Sequence, residues 1–203
     1  MKKYYLAIFL FLSVSLLVAL VPLSSFDLFV SRLIQNIDSQ YFDQLMWFVT
    51  SIGNQPFMLY IVGLTSLILF LVGKRKEAVF CSLSSAGSVL TGSLLKFLIS
   101  RPRPEADLVR ISIWLSDKSY PSNHVLVFTV FFGFLIYLLL HQRKHNFSIY
   151  LVSLPLVLLV LSIGISRIYL GAHWATDVFG GYLFGIIWLM LTIKLYNSNH
   201  GQR

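Results

Sequence analysis

The chain has 203 residues, of which 57% are hydrophobic and 12% are charged, and its mean hydropathy is +0.77. Soluble domains have about 45–50% apolar and about 25% charged residues, so this composition excludes an ordinary soluble domain and predicts a membrane protein. The formal net charge of +8 favours membrane lipids rather than nucleic acid as partners, because no basic stripe follows a polar helix face.

The first predicted element is a membrane span at residues 4–22. Its apolar run is longer than the roughly 7–15 residues of a signal-peptide core, and no small-residue cleavage site follows, so we expect it to be retained. Segment 24–55 is more polar, with acidic residues among large apolar side chains at roughly helical spacing. This pattern predicts an amphipathic helix lying along the membrane interface and not a span.

Five more apolar stretches predict spans, and charged or polar segments separate most of them. They lie at residues 57–73, 78–99, 123–140, 148–165 and 177–195. Because a bilayer-crossing helix needs roughly 20 residues, about six spans use most of the chain. The sequence therefore predicts an all-α, polytopic membrane protein. We expect six transmembrane helices, an amphipathic interfacial helix between the first and second, and one domain over residues 1–203.

The distribution of the 16 Lys and Arg residues predicts the orientation in the membrane. They divide nine to seven between the two sides, and three of the seven (Lys96, Arg103 and Arg167) belong to polar clusters, which leaves nine against four. Cytoplasmic loops carry the excess of positive charge. We therefore expect a multi-pass plasma-membrane protein with both termini in the cytoplasm and the polar clusters on the extracytoplasmic face.

Three polar clusters interrupt the apolar background, and all three fall at helix ends on the predicted outer side. They read KFLISRPRP at 96–104, YPSNH at 120–124 and SRIYLGAHWATD at 166–177. Each has a plainer interpretation when taken alone: headgroup anchoring, the start of a helix, or a polar turn with a hydrogen-bonded histidine. Charged groups at membrane depth are costly and usually face a cavity or a partner, so the convergence of the three predicts a functional site.

The residue types in these clusters suit phosphoryl transfer, which needs fixed cations around the phosphate, a nucleophile and an acid. Arg103 and Arg167 each offer a bidentate guanidinium, and Lys96 adds a point charge. Ser122 and the backbone N–H groups near residues 122–124 offer hydrogen bonds at the start of a helix. The clusters thus contain the parts of a phosphate-binding site.

Two histidines remain for covalent and acid–base chemistry. His173 and Asp177 are four residues apart and so share a helix face, which suits a nucleophile and the carboxylate that orients it. His124 is then the candidate general acid for the leaving oxygen, and afterwards the base that activates water.

The clusters resemble the signature of the type 2 phosphatidic acid phosphatase superfamily, which reads K-x6-R-P, P-S-G-H and S-R-x5-H-x3-D. The resemblance covers residues 96–177, and its first and third parts match completely. Only Arg103 has the required spacing from Lys96, which leaves Arg101 as a bystander or helper. The resemblance implies an all-helical, metal-independent lipid phosphatase without a cofactor or an obligatory protein partner.

The resemblance also implies a role for each matched residue. His173 would form a phosphohistidine, Asp177 would orient it, and His124 would protonate the leaving group. The matched phosphate-binding residues would be Lys96, Arg103, Ser122 and Arg167.

Asn123 stands where the family signature has glycine. Asparagine is among the few residues that tolerate positive φ, and its amide offers a donor to a phosphate oxygen, so we expect retained activity and count Asn123 among the phosphate-binding residues. The alternative is that Asn123 crowds the pocket and lowers turnover or narrows the substrate range.

A site at the outer membrane–water boundary favours a lipid phosphate as substrate. Among small family members that the chain resembles, undecaprenyl pyrophosphate phosphatases fit an outward site best, and phosphatidylglycerophosphate or phosphatidate is the alternative. A catalytically inactive lipid-binding protein is the alternative from another class, favoured only by Asn123. A transporter is disfavoured because no duplicated half is visible, and a haloperoxidase because of the membrane-spanning composition.

Overall fold

The computed structural model describes residues 2–141 and 147–198. Over these residues the protein consists of eight α-helices and has no strand, which confirms the all-α prediction. The helices are α1 (Lys2–Leu20), α2 (Ser25–Gln35), α3 (Gln40–Gly53), α4 (Phe57–Leu71), α5 (Arg75–Ile99), α6 (Asn123–Leu140), α7 (Phe147–Tyr169) and α8 (Ala175–Ser198).

Four helices, α5 to α8, are long and apolar enough to cross a membrane on their own. Two further pairs of consecutive helices have the length and composition of one span if the two helices of a pair are counted together. These pairs are α1 with α2, bent by 98°, and α3 with α4, bent by 60°. The described residues therefore contain four to six candidate spans. The predicted six spans correspond to the upper value, and the protein is a multi-pass membrane protein.

Segment 24–55 differs from the predicted single interfacial helix. It forms two helices, α2 and α3, which are separated by residues 36–39. Helix α4 has only 15 residues and is about 22 Å long, which is shorter than the roughly 30 Å hydrocarbon core. Because α3 and α4 together reach the length and composition of a bent span, α3 is a candidate for part of the second span. The polar residue Asp27 of α2 is fully buried within the protein and does not face water.

The core lies between α6 and its neighbours α7 and α8. Along α6 the side chains of Val125, Phe128 and Phe134 are completely buried. Gly185 allows α8 to approach α6 closely, because a Cβ atom there would lie 2.7 Å from the Cβ of Thr129. A backbone hydrogen bond from Ser122 to the carbonyl of Asp177 holds the beginning of α8 beside the beginning of α6.

The end of α5 turns the chain into the site. Ser100 caps the helix with a left-handed backbone, at a φ of 51°. A proline two residues later also prevents the helix from continuing. Arg101 and Arg103 therefore leave the helix and enter the connection to α6. Residues 100–122 form this connection, which lies over one end of the helix bundle.

Candidate active site

The structure brings side chains from all three polar clusters to one cavity of about 850 Å³. The ends of α5 and α7, the beginning of α6 and the turn before α8 meet at this cavity. Six of the residues predicted to form the site line it: Lys96, Arg103, Asn123, His124, Arg167 and His173. The other two, Ser122 and Asp177, are fully buried beside these residues.

His173 lies at the centre of this arrangement and is 2% exposed. Its Nε2 is 3.2 Å from a guanidinium nitrogen of Arg103. A guanidinium only donates hydrogen bonds, so Nε2 is the acceptor nitrogen and the ring proton belongs on Nδ1. The lone pair of Nε2 is then directed toward the cation that we expect to bind phosphate. This is the tautomer that a nucleophilic imidazole requires.

Asp177 orients His173 both directly and through Ser119. The Oδ2 atom of Asp177 lies 3.5 Å from Nδ1 of His173 and accepts a hydrogen bond from the Ser119 hydroxyl. That hydroxyl oxygen is in turn 3.3 Å from Nδ1. The backbone N–H of Trp174 also donates to Oδ2 at 2.9 Å. Asp177 is therefore fixed on the side of His173 that faces away from Arg103.

Arg101 holds the other oxygen of Asp177. Its Nη1 donates to Oδ1 of Asp177 and, at 2.7 Å, to the hydroxyl of Thr176, while Nη2 donates to Asp27 at 2.7 Å. Its Nε donates to the carbonyl of Pro22 at 2.8 Å. The side chains of Arg101, Asp27 and Asp177 have no exposed area. A buried ion-pair network thus connects α2 to the carboxylate that orients His173.

The cations Lys96 and Arg103 are held by backbone carbonyls of the α5–α6 connection. Lys96 donates to the carbonyl of Lys118, and the Nε of Arg103 donates to the carbonyl of Asp117 at 2.8 Å. Arg103 also donates to the carbonyl of Ala172, next to His173. Both cations thereby line the same cavity as the imidazole, and Arg103 contacts it.

Arg167 and His124 are held by residues of α3 and the turn after it. Arg167 donates to the hydroxyl of Thr50 at 2.6 Å, and Nε2 of His124 lies 3.1 Å from the side-chain oxygen of Asn54. The Nε donor of Arg167 has no hydrogen-bond partner among the described residues. A buried donor of this kind is available to a phosphate oxygen in the cavity.

Ser122 and Asn123 make different contacts from the three cations and two histidines of the site. The backbone N–H of Ser122 donates to the carbonyl of Asp177 at 3.1 Å, and its hydroxyl has no partner among the described residues. The side chain of Asn123 lines the cavity but donates to the hydroxyl of Ser93 on α5 at 3.1 Å. The phosphate contacts of all the predicted site residues stay predictions, those of Ser122 and Asn123 included.

Burial and the nearby positive charges favour the neutral form of His173. Burial, followed by the nearby positive charges of Arg103, Lys96 and Arg167, lowers the pKa of His173 well below its usual 6.5. For Asp117, burial acts to raise the pKa, but Lys96 and Arg103 outweigh burial and lower it below the usual 3.8. The site thus presents an unprotonated imidazole to the phosphate and an ionised carboxylate near its mouth.

Several residues that contact the site lie outside the set predicted from the sequence. They are Asp27, Thr50, Asn54, Asp117, Ser119 and Thr176. Arg101, taken as a bystander or helper, has four polar partners and belongs to the support of Asp177. Its position directly before Pro102 and close to Lys96 was the only signal that the sequence offered.

Comparison with known proteins agrees with this fold and site. Residues 77–200 match the family model of the PAP2 superfamily, and the chain belongs to that superfamily, which confirms the resemblance found in the sequence. It is a membrane lipid phosphatase of this type.

Two relatives and one solved structure cover most of the chain. Phosphatidylglycerophosphatase B of Bacillus subtilis is 29% identical over 168 residues, which are 82% of this chain and 81% of the relative. Undecaprenyl-diphosphatase of Sulfolobus acidocaldarius is 26% identical over 98% of this chain and 94% of its own. The crystal structure of a transmembrane PAP2-type phosphatidylglycerolphosphate phosphatase from Bacillus subtilis has the same fold, with a TM-score of 0.86 at 24% identity over 98% of both chains.

Proposed function

We propose that the protein removes the terminal phosphate of a lipid phosphate or diphosphate through a phosphohistidine on His173. The observation that carries the proposal is a single cavity with a charged end and an apolar end. The charged end contains the histidines and cations described above. The other end is mostly apolar, and besides Ser82 and Ser85 it is lined from α4 and α5 by Met58, Leu59, Val62, Ala86, Val89 and Leu90. A molecule with a phosphate headgroup and a hydrocarbon chain has this distribution of polarity.

In the first step, Nε2 of His173 attacks phosphorus and the bond from phosphorus to the lipid-side oxygen breaks. Ser119 and Asp177 stabilise the positive charge that develops on the imidazole. His124, protonated once the substrate's negative charge has entered the cavity, donates its proton to the leaving oxygen. The products are the dephosphorylated lipid and a phosphohistidine.

In the second step, His124 is neutral and takes a proton from a water molecule that attacks the phosphohistidine. The phosphorus–nitrogen bond breaks, and its electron pair returns to Nε2 of His173 as inorganic phosphate forms. Lys96, Arg103 and Arg167 neutralise the phosphoryl oxygens in both steps. Each step thus uses groups that already line the same cavity.

For the physiological substrate we propose undecaprenyl pyrophosphate. The relative named undecaprenyl-diphosphatase that covers 98% of this chain supports this choice, as does the outward position inferred for the site. Phosphatidylglycerophosphate is the second candidate, supported by the similarity to phosphatidylglycerophosphatase B and by the shared fold. Phosphatidate is a further candidate of the same chemical class.

Phosphate release from these three lipids by the detergent-purified protein tests the proposal. We expect release to persist in excess EDTA, because the proposed steps use only protein side chains, and undecaprenyl pyrophosphate to have the highest kcat/KM. A higher kcat/KM for phosphatidylglycerophosphate would select the second candidate. Failure to release phosphate from any of the lipids would favour an inactive lipid-binding protein.

We also propose that the cavity opens on the extracytoplasmic face of the plasma membrane and that both termini are cytoplasmic. The nine-to-four distribution of Lys and Arg supports this orientation. Cysteine variants in a Cys81→Ser background test it with a membrane-impermeant maleimide on intact cells. We expect labelling of Asp107→Cys, in the α5–α6 connection, and protection of Arg75→Cys at the opposite end of α5. The reverse pattern would contradict the orientation.

A further inference from the structure

Asp117 places a carboxylate between the two cations on the α5 side of the cavity. Its Oδ2 is 3.1 Å from Nζ of Lys96, and its Oδ1 accepts a hydrogen bond from Nη2 of Arg103. The side chain is 56% exposed, whereas those of Lys96 and Arg103 are 9% and 12% exposed. The carboxylate therefore covers the accessible side of the cations to which the proposed function assigns the substrate phosphate.

Both cations have backbone contacts in addition to this carboxylate. Arg103 is already held by its bonds to the carbonyls of Asp117 and Ala172, and Lys96 by its bond to the carbonyl of Lys118. A second carbonyl, that of Ser119, lies 3.4 Å from Nζ of Lys96. None of these backbone contacts involves the carboxylate of Asp117. Its remaining effect is electrostatic, because it supplies an anion to a phosphate-binding pair.

We propose that Asp117 is an internal competitor that every incoming anion must displace from Lys96 and Arg103, and that it thereby keeps the phosphodiester headgroups of the bilayer out of the site. The proposal rests on the proposed function, because it takes the same two cations as phosphate ligands. In addition, Asp117 determines which lipids occupy the site at the concentrations that they have in the bilayer.

The charge of the headgroup explains this effect. A phosphodiester carries one negative charge and gains little over the carboxylate that it replaces, whereas a terminal phosphate carries about 1.5 to 2 charges at neutral pH and binds the cations more strongly. An internal competitor weakens all anions by the same factor. Abundant phosphodiester lipids, which bind weakly, then no longer saturate the site, whereas a lipid with a terminal phosphate still binds to it. The same competition favours release of the product phosphate.

Binding measurements on the detergent-purified protein test this proposal. The probes are inorganic phosphate, titrated by calorimetry, and phosphatidylglycerol in nonionic micelles, measured as a competitor of phosphate. In Asp117→Asn we expect both dissociation constants to fall by a similar factor, about tenfold, which corresponds to the loss of one charge-assisted contact. The matched control Asp107→Asn removes an exposed carboxylate from the same connection and is expected to change neither.

The possible results separate this proposal from the proposed function. Dissociation constants in Asp117→Asn that are unchanged or higher would overturn the internal competitor and assign Asp117 a positioning role. Lys96→Ala and Arg103→Ala serve as references, since both should weaken phosphate binding. If these two variants bind phosphate as tightly as the wild type, the phosphate site itself is wrong and the proposed function fails with it.

Discussion

Replacement of His173 by alanine should lower kcat/KM for phosphate release by at least about 10⁴-fold, as is typical when a catalytic nucleophile is removed. The reason is that Nε2 of His173 is the ring nitrogen without a proton, and its lone pair lies beside Arg103. The cations that remain would still bind the substrate, so the loss should fall on kcat and leave KM within a few-fold. Steady-state kinetics on the best of the three lipids measure this effect.

His141→Ala is the matched control for this variant. His141 caps the end of α6 opposite to His124 and is exposed, so its removal should leave kcat/KM within about twofold. Residual activity of His173→Ala above about one hundredth of the wild type would show that the reaction does not require this nucleophile.

The second large effect should follow from changes in the buried network around Arg101. Arg101 bridges two carboxylates, those of Asp27 and Asp177, and none of the three side chains is exposed. Arg101→Ala would leave both buried acids without this cation, and breaking a buried pair costs about 3–5 kcal/mol of folding free energy. We therefore expect a large fall in the thermal unfolding temperature of the purified variant.

Milder variants separate stability from catalysis. Asp27→Asn and Arg101→Lys keep part of the network, and we expect kcat to fall about 10–100-fold with little change in KM, because Arg101 supports the carboxylate that orients His173. Ser31→Ala serves as the control, since Ser31 is also buried on α2 but its hydroxyl has no hydrogen-bond partner among the described residues. If kcat per folded protein stays at the wild-type value in both network variants, Arg101 has a purely structural role.

The fold could be predicted from the sequence where long apolar runs decide it. A run of about 20 apolar residues crosses a bilayer as an α-helix, so α5 to α8 follow directly from hydropathy. For segment 24–55 the structure has two helices where one interfacial helix was predicted, and amphipathic periodicity does not say what covers the polar face. Asp27 is covered by Arg101 of a distant segment, and such a contact leaves no trace in local periodicity.

The candidate site could be predicted as far as its spacings are local. Lys96 with Arg103, and His173 with Asp177, are each close in sequence, and the structure places both pairs beside one another. The contact between Arg167 and Thr50 joins residues 117 positions apart, and pairing over such distances is set only by the packing of α3 against α7. Ser119 escaped notice because it carries no charge and belongs to no motif.

A covalent phosphate on His173 is tested most directly by trapping it in the His124→Ala variant with radiolabelled para-nitrophenyl phosphate. The nitrophenolate group leaves without a general acid, so the first step should proceed, whereas the second step lacks the base that activates water. We expect a burst of nitrophenolate equal in amount to the enzyme, with alkali-stable, acid-labile label on the peptide that contains His173. No label should appear when His173 is also replaced by alanine. Continued turnover without protein-bound label, or label on another residue, would contradict the phosphohistidine mechanism.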